Sequence, residues 1–132
     1  MIYYLAQRCR HSFAETIERV RAALAEEGFG VLTEIDVAAT LKKKLDVNFR
    51  NYRILGACNP PFAFKALQAE DKIGTMLPCN VVVQQINEHE VEIAAIDPVA
   101  SMQAVDNPDL RPIAEQIRDK LQAVVNRAAE AA

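Results

Sequence analysis

Apolar residues recur along this chain with two different periods, and each change of period marks a new secondary-structure element. Ile2–Arg8 begins with β-favouring isoleucine and tyrosine, which predicts a first strand. Ser12 and Glu15 have the spacing of a capping box, so a helix is predicted to begin there and to end at Gly28. Apolar residues repeat every three to four positions along this helix: Phe13, Ile17, Val20 and Leu24.

The segment after Gly28 changes to a period of two. Gly30–Val37 is predicted to form a second strand, and Ala38–Leu45 to form a short helix. Strict alternation in the strand predicts that one face carries Val31, Thr33, Ile35 and Val37.

Tyr52–Cys58 is apolar on both faces around its centre, which predicts a strand in the interior of a sheet. Asn59 is a suitable helix cap, and Pro60 and Pro61 follow at the positions where a missing N–H costs least. A helix is therefore predicted directly after Cys58, with an inner stripe formed by Ala63, Ala66 and Leu67.

The last part of the chain predicts a hairpin and a long helix. Cys79–Ile86 is rich in β-branched residues, and Val91–Ile96 follows it after a polar turn and stops at Asp97-Pro98. The turn cluster Asp106–Asp109 then opens a helix. Its apolar face carries Leu110, Ile113, Ile117, Leu121, Val124 and Val125.

This order of elements predicts an α+β fold in a single domain that spans residues 1–132. We expect a largely antiparallel sheet of about five strands, with the helices on one face. The composition, 51% apolar and 25% charged, is typical of an ordinary globular protein.

The charge pattern and the absence of export signals limit the possible partners. A net charge of −3 with interspersed signs gives no basis for binding nucleic acid. No apolar stretch approaches the ~20 residues of a membrane span, and the N-terminal segment lacks the features of a secretory signal. We therefore expect a cytoplasmic protein with no nucleic-acid or membrane partner.

The three cysteines indicate reduced thiols, because an odd number without an export signal does not fit a disulfide scaffold. Cysteine and histidine lack the spacing of metal ligands, so no metal site is predicted. Cys9, His11, His89 and Asp97 each have a simple structural interpretation: packing, surface exposure or the end of a strand.

Cys58 is the first candidate functional residue. It directly precedes the predicted helix, where free backbone N–H groups and the helix dipole stabilise a thiolate or another anion. The alternative is a small apolar residue that closes a core strand, as buried free cysteines often do.

Cys79-Asn80 repeats the Cys-Asn pair of Cys58-Asn59 at the entrance of the strand that follows Pro78. If the two strands are neighbours, both thiols approach one pocket, where a reversible disulfide, a soft metal or a sulfur-carrying ligand becomes possible. We therefore take Cys58, Asn59, Cys79 and Asn80 as candidate ligand-binding residues, and the two cysteines as candidate catalytic residues.

Four segments together resemble the domain of unknown function 302 family: Glu26–Leu32, Tyr52–Pro60, Leu77–Val83 and Ile96–Pro98. The resemblance covers nearly the whole chain. It implies a fold like that of the TATA-binding protein, with a β-α-β4-α core and short inserted helices, and it implies a homodimer. It implies no activity and no cofactor, and the fold by itself does not carry the DNA function.

Three hypotheses for function follow. The first is a small-molecule, metal or cofactor-binding module with a pocket near the two Cys-Asn loops, connected to sulfur or redox metabolism. The second is a thiol-dependent enzyme or sulfur carrier that uses Cys58 and Cys79. The third is a dimeric structural or regulatory protein whose cysteines only pack. We favour the first.

Overall fold

The computed structural model describes residues 2–131 and contains the predicted elements in the predicted order. The strands are β1 (Tyr4–Cys9), β2 (Gly30–Asp36), β3 (Tyr52–Cys58), β4 (Cys79–Gln85) and β5 (Val91–Ile96). The α-helices are α1 (Phe13–Glu26), α2 (Val37–Leu45), α3 (Pro60–Ala69), α4 (Pro98–Ser101) and α5 (Leu110–Ala129). Two 3-10 turns, Asp71–Met76 and Met102–Ala104, follow α3 and α4. The α+β prediction is confirmed.

The five strands form one antiparallel sheet in the order β1-β5-β4-β3-β2. β3 is an interior strand, as its apolar sequence predicts, and β4, which contains three consecutive valines, is the central strand. β1 and β2 form the two edges. α1 therefore connects the opposite edges of the sheet.

The predicted alternation of β2 is wrong in one respect. Val31 pairs with Ala57 and Thr33 pairs with Gly56, so Leu32 is an extra residue that forms a β-bulge. An extra residue reverses the alternation, which places Val31 and Thr33 on opposite faces of the sheet. A period of two cannot reveal a bulge, because the bulge depends on the partner strand.

The main core lies between one face of the sheet and the helices α1 and α5. Ser12 Oγ accepts a hydrogen bond from the Glu15 N–H at 3.1 Å, and Gly28, with a φ of 84°, ends the α1 segment. The fully buried side chains include Val20, Leu24, Leu55, Val81, Val83, Ile93, Leu121 and Val125. A smaller cluster, formed by Ala66, Ile73, Met102, Leu110 and Ala114, lies beneath α3.

The opposite face of the sheet carries the alternate residues of each strand. On β4, Cys79, Val81 and Val83 are buried in the core, whereas Asn80 is exposed and Val82 and Gln84 are partly exposed. Tyr4 is also exposed on this side of the sheet, where it pairs with Ile96 of β5. None of the described helices is long and apolar enough to cross a lipid bilayer.

Candidate functional site

The two cysteine loops meet at one end of the sheet. β3 and β4 are antiparallel neighbours, so the last residues of β3 lie beside the first residues of β4. Ala57 is directly opposite Cys79, which places Cys58 and Cys79 at adjacent positions in the two strands. Neighbouring strands are the condition for a shared pocket, and both cysteines line one, although Ala57 and not Cys58 is the residue in register with Cys79.

A pocket of about 290 Å³ lies at this end of the sheet, between the main core and the smaller cluster beneath α3. We call it the Cys58–Cys79 pocket. Small residues leave this space open, since Ala57, Ala63, Ala66 and Gly74 all lie on its walls. The other lining residues are Phe29, Leu32, Cys58, Asn59, Leu67, Leu77, Pro78, Cys79, Met102 and Ile117.

The two thiols differ in their surroundings. Cys79 is only 6% exposed, whereas Cys58 is half-buried. Burial, with a smaller electrostatic contribution from the neighbouring Cys58, raises the pKa of the Cys79 thiol to about 11. Cys79 is therefore a neutral thiol at pH 7, and Cys58 is the more accessible of the two.

Asn59 occupies the cap position of α3 as predicted, but its side chain does not cap the helix. Instead, its Nδ2 donates a hydrogen bond to the Glu27 carbonyl oxygen at 3.1 Å. A Cβ on Gly28 would lie 3.3 Å from the same Nδ2, so the close approach depends on the glycine. The buried Asn59 thus joins the Cys58 loop to the turn between α1 and β2.

The N-terminus of α3 offers fewer N–H donors than an ordinary helix. Pro60 and Pro61 have no N–H, and the Ala63 N–H donates to the Asn59 carbonyl oxygen at 2.9 Å. Phe62 is thus the first residue of α3 with an amide donor. The case for an anion beside Cys58 is therefore weaker than the sequence pattern indicates.

Asn80 is the candidate that the structure does not bring to this pocket. It follows Cys79 in β4, so its side chain projects from the opposite face of the sheet, where it is exposed. There it lines a second pocket, of about 360 Å³, with Tyr4, Val82 and Gln84. The pocket therefore unites Cys58, Asn59 and Cys79 but not Asn80.

The remaining cysteine lies far from the pocket in a structural setting. The Thr16 hydroxyl donates to the Ser12 carbonyl oxygen at 2.7 Å, which leaves its oxygen free to accept from the Cys9 thiol at 3.5 Å. Cys9 is 7% exposed and belongs to the main core. It packs, as its lack of a companion motif predicts.

His11, His89 and Asp97 also have structural surroundings. The His11 side chain is 11% exposed and shares a hydrogen bond of 2.7 Å with the Glu130 carbonyl oxygen, so this histidine is partly buried at the surface of the protein. His89 is exposed in the hairpin turn, as predicted. Asp97 accepts from the Val99 N–H at 3.0 Å and from Arg118 Nε at 3.1 Å, so its carboxylate caps α4 and pairs with Arg118.

The chemistry available to the pocket is limited. Among residues 2–131, no three histidine, cysteine or acidic side chains are grouped as metal ligands. The described residues that line the pocket include no histidine, carboxylate, lysine or arginine. The described wall of the pocket is therefore apolar and uncharged, with two cysteines and one asparagine among its residues.

Sequence reasoning missed most of the apolar walls. Phe29, Leu32, Met102 and Ile117 come from four separate segments of the chain and meet only in the folded protein. Their apolar character indicates burial but not a shared cavity. The bulge at Leu32 is equally invisible in the sequence pattern.

Comparison with known proteins agrees with these observations. A solved structure, described as the crystal structure of an uncharacterized conserved protein DUF302 from Bacillus stearothermophilus, is similar with a TM-score of 0.90 and 31% sequence identity, over 97% of this chain and 99% of that one. No curated protein matches the chain. The sequence also matches the profile of the family described as domain of unknown function DUF302, over residues 5–128. This protein belongs to the DUF302 family.

Proposed function

We propose that this protein binds a small, mainly apolar molecule in the Cys58–Cys79 pocket. The observation that carries the proposal is the pocket itself: a space of about 290 Å³ whose walls are apolar apart from two thiols and one amide. Concave apolar sites with a few polar groups are the usual form of small-molecule sites. Both cysteine loops contribute to its wall.

A thiol-dependent enzyme or sulfur carrier has less support. Such chemistry needs a thiolate, yet burial keeps Cys79 protonated at neutral pH. No described residue on the pocket wall is a base that would remove a proton from Cys58. A role in sulfur or redox metabolism remains a prediction, supported by the presence of both cysteines in the pocket wall.

The test uses N-phenyl-1-naphthylamine, a neutral fluorophore that emits strongly only away from water. We expect saturable one-to-one binding to the purified protein. Ala63→Leu places three more carbon atoms in the pocket from α3 and should weaken binding by about tenfold or more.

The matched control is Gln68→Leu, which adds an apolar side chain to an exposed position of the same helix that does not line the pocket. This variant should bind like the wild type. Equal binding by the two variants, or no saturable binding by the wild type, would show that the pocket is not a ligand site.

A further inference from the structure

We infer that Met102 limits the length of the ligand that the Cys58–Cys79 pocket accepts. The class of ligand is an unbranched apolar chain with one polar end, and Met102 contacts the apolar end. The inference rests on the proposed function and deepens it, because it names the residue that selects among apolar ligands. Three features of the structure lead to it.

The first feature is a neighbouring cavity. A further pocket, of about 350 Å³, includes Leu110, Arg111 and Ala114 of α5 in its wall, and we call it the α5 pocket. Met102 lines both the α5 pocket and the Cys58–Cys79 pocket, and no other described residue belongs to both walls. The Met102 side chain therefore separates the two spaces.

The second feature is the packing around Met102, which belongs to the smaller core cluster and is 6% exposed. Within this cluster, Ala66 lines the Cys58–Cys79 pocket, whereas Leu110 and Ala114 line the α5 pocket. The cluster thus lies between the two pockets. Side chains in protein cores interdigitate at high density, so a buried side chain at the boundary of two cavities acts as the barrier between them.

The third feature is the anchoring of the segment that carries Met102. The Asp97 carboxylate accepts from the Val99 N–H at 3.0 Å, at the start of α4, and from Arg118 Nε of α5 at 3.1 Å. After α4, the Val105 N–H donates to the Met102 carbonyl oxygen at 3.0 Å. The backbone at Met102 is held in place, so the size of the side chain at this residue sets the position of the barrier.

The chemistry of the wall decides which end of a ligand contacts Met102. A thioether sulfur is only a weak hydrogen-bond acceptor, and Ala66, which belongs to the same cluster, is apolar. Cys79 lies in the part of the wall that the main core forms. The apolar end of a chain therefore fits against Met102, and the polar end lies toward the cysteines. A longer chain would have to displace a packed side chain, which is unfavourable.

The test measures how well unbranched 1-alkanols, from 1-hexanol to 1-tetradecanol, displace N-phenyl-1-naphthylamine. In the wild type we expect the affinity to increase about fourfold for each added methylene and to stop increasing once the chain reaches Met102. Met102→Ala removes the barrier. The longest alkanol should bind this variant at least about tenfold more tightly than the wild type, whereas 1-hexanol should bind both equally.

Matched variants separate the barrier from a general loss of packing. Met102→Leu keeps a side chain of similar volume and should keep the wild-type limit. Ile73→Val shortens a buried residue of the same cluster that lines neither pocket, and it should also keep the limit. Met102→Ala with Val105→Phe fills the α5 pocket from its own wall and should abolish the gain. Met102→Val, which removes less volume, replaces Met102→Ala if that variant does not fold.

The outcomes separate the two proposals. If the fluorophore does not bind to the wild type, the proposed function is wrong. If it binds but no alkanol displaces it, or the wild-type affinity increases through the whole series, the proposed function stands and the length limit is wrong. If the gain is absent in Met102→Ala, appears in Ile73→Val or persists with Val105→Phe, the role of Met102 as a barrier is overturned.

Discussion

Gly56 of β3 packs directly against Pro78, which precedes β4. A Cβ at position 56 would lie 2.8 Å from Pro78 Cγ and would also overlap the hydroxyl oxygen of Thr33 on β2. Such a distance is too short for real carbon atoms, so the two cysteine loops approach each other only because residue 56 has no side chain. Much of the Gly-Ala-Cys and Leu-Pro-Cys pattern is thus explained by packing.

Gly56→Ala should therefore destabilise the protein by about 1–3 kcal/mol, as overpacking of a tight interior position does. Urea unfolding monitored by circular dichroism measures this change. The control is Gly30→Ala, because a Cβ at position 30 would meet no atom within 4 Å. Equal stability of the two variants would contradict the close packing of Gly56 and Pro78.

Asn59 should matter through its hydrogen bond to Glu27 and not as a helix cap. Serine is as good a cap as asparagine, but it is too short to reach the Glu27 carbonyl oxygen. Asn59→Ser and Asn59→Ala should therefore lose similar amounts of unfolding free energy, about 1–2 kcal/mol. Full stability of Asn59→Ser would mean that capping is the role of this residue. The control is Asn48→Ser in an exposed loop, which should unfold like the wild type.

Alkylation should distinguish the two thiols of the pocket. At pH 7.5 iodoacetamide should label Cys58 at least about tenfold faster than Cys79, because Cys79 is buried and its thiol is protonated. Peptide mass spectrometry measures each rate. Cys79 should react quickly only after the protein is unfolded in urea, and similar rates in the folded protein would refute the burial of Cys79.

The raised pKa of Cys79 predicts a loss of stability at alkaline pH. The unfolded thiol ionises near pH 8.5–9, but the folded one only near 11, so folding favours the protonated form. This contribution is complete below about pH 8.5 and decreases as the pH rises to 11, by about 2–3 kcal/mol at most.

Urea unfolding between pH 8 and pH 10.5 tests this linkage. Cys79→Ala should have a shallower decrease of the unfolding free energy than the wild type, whereas Cys9→Ala should keep the wild-type slope. Parallel curves for the wild type and Cys79→Ala would show that Cys79 does not titrate as proposed.

The homodimer implied by the family resemblance remains a prediction. The face of the sheet opposite α1 and α5 exposes Tyr4 and leaves Val82 partly exposed, and exposed apolar side chains on one face are a feature of interaction sites. Sedimentation equilibrium should therefore find a dimer. Tyr4→Glu should dissociate the dimer, whereas the control Phe64→Glu, at an exposed position of α3, should leave it intact. A monomeric wild type would refute the prediction.

The secondary structure was largely predictable because its signals are local. The cap at Ser12, the left-handed Gly28 and the two prolines after Asn59 each act on residues close to them in the chain. The strands β3 and β5 also have their predicted bounds. The face of the sheet on which each β2 side chain lies was not predictable, since the bulge at Leu32 depends on the partner strand.

The candidate site was also predictable only in part. The sequence by itself determined the order of elements, the family, and the location of two thiols at strand ends beside a helix. Only the tertiary structure decided that Cys58, Asn59 and Cys79 share a pocket, that Asn80 lies on the other face, and that Asn59 bonds Glu27. The physical reason is that caps and periodicity are set by near neighbours, whereas strand register, burial and the shift in the Cys79 pKa depend on residues far apart in the chain.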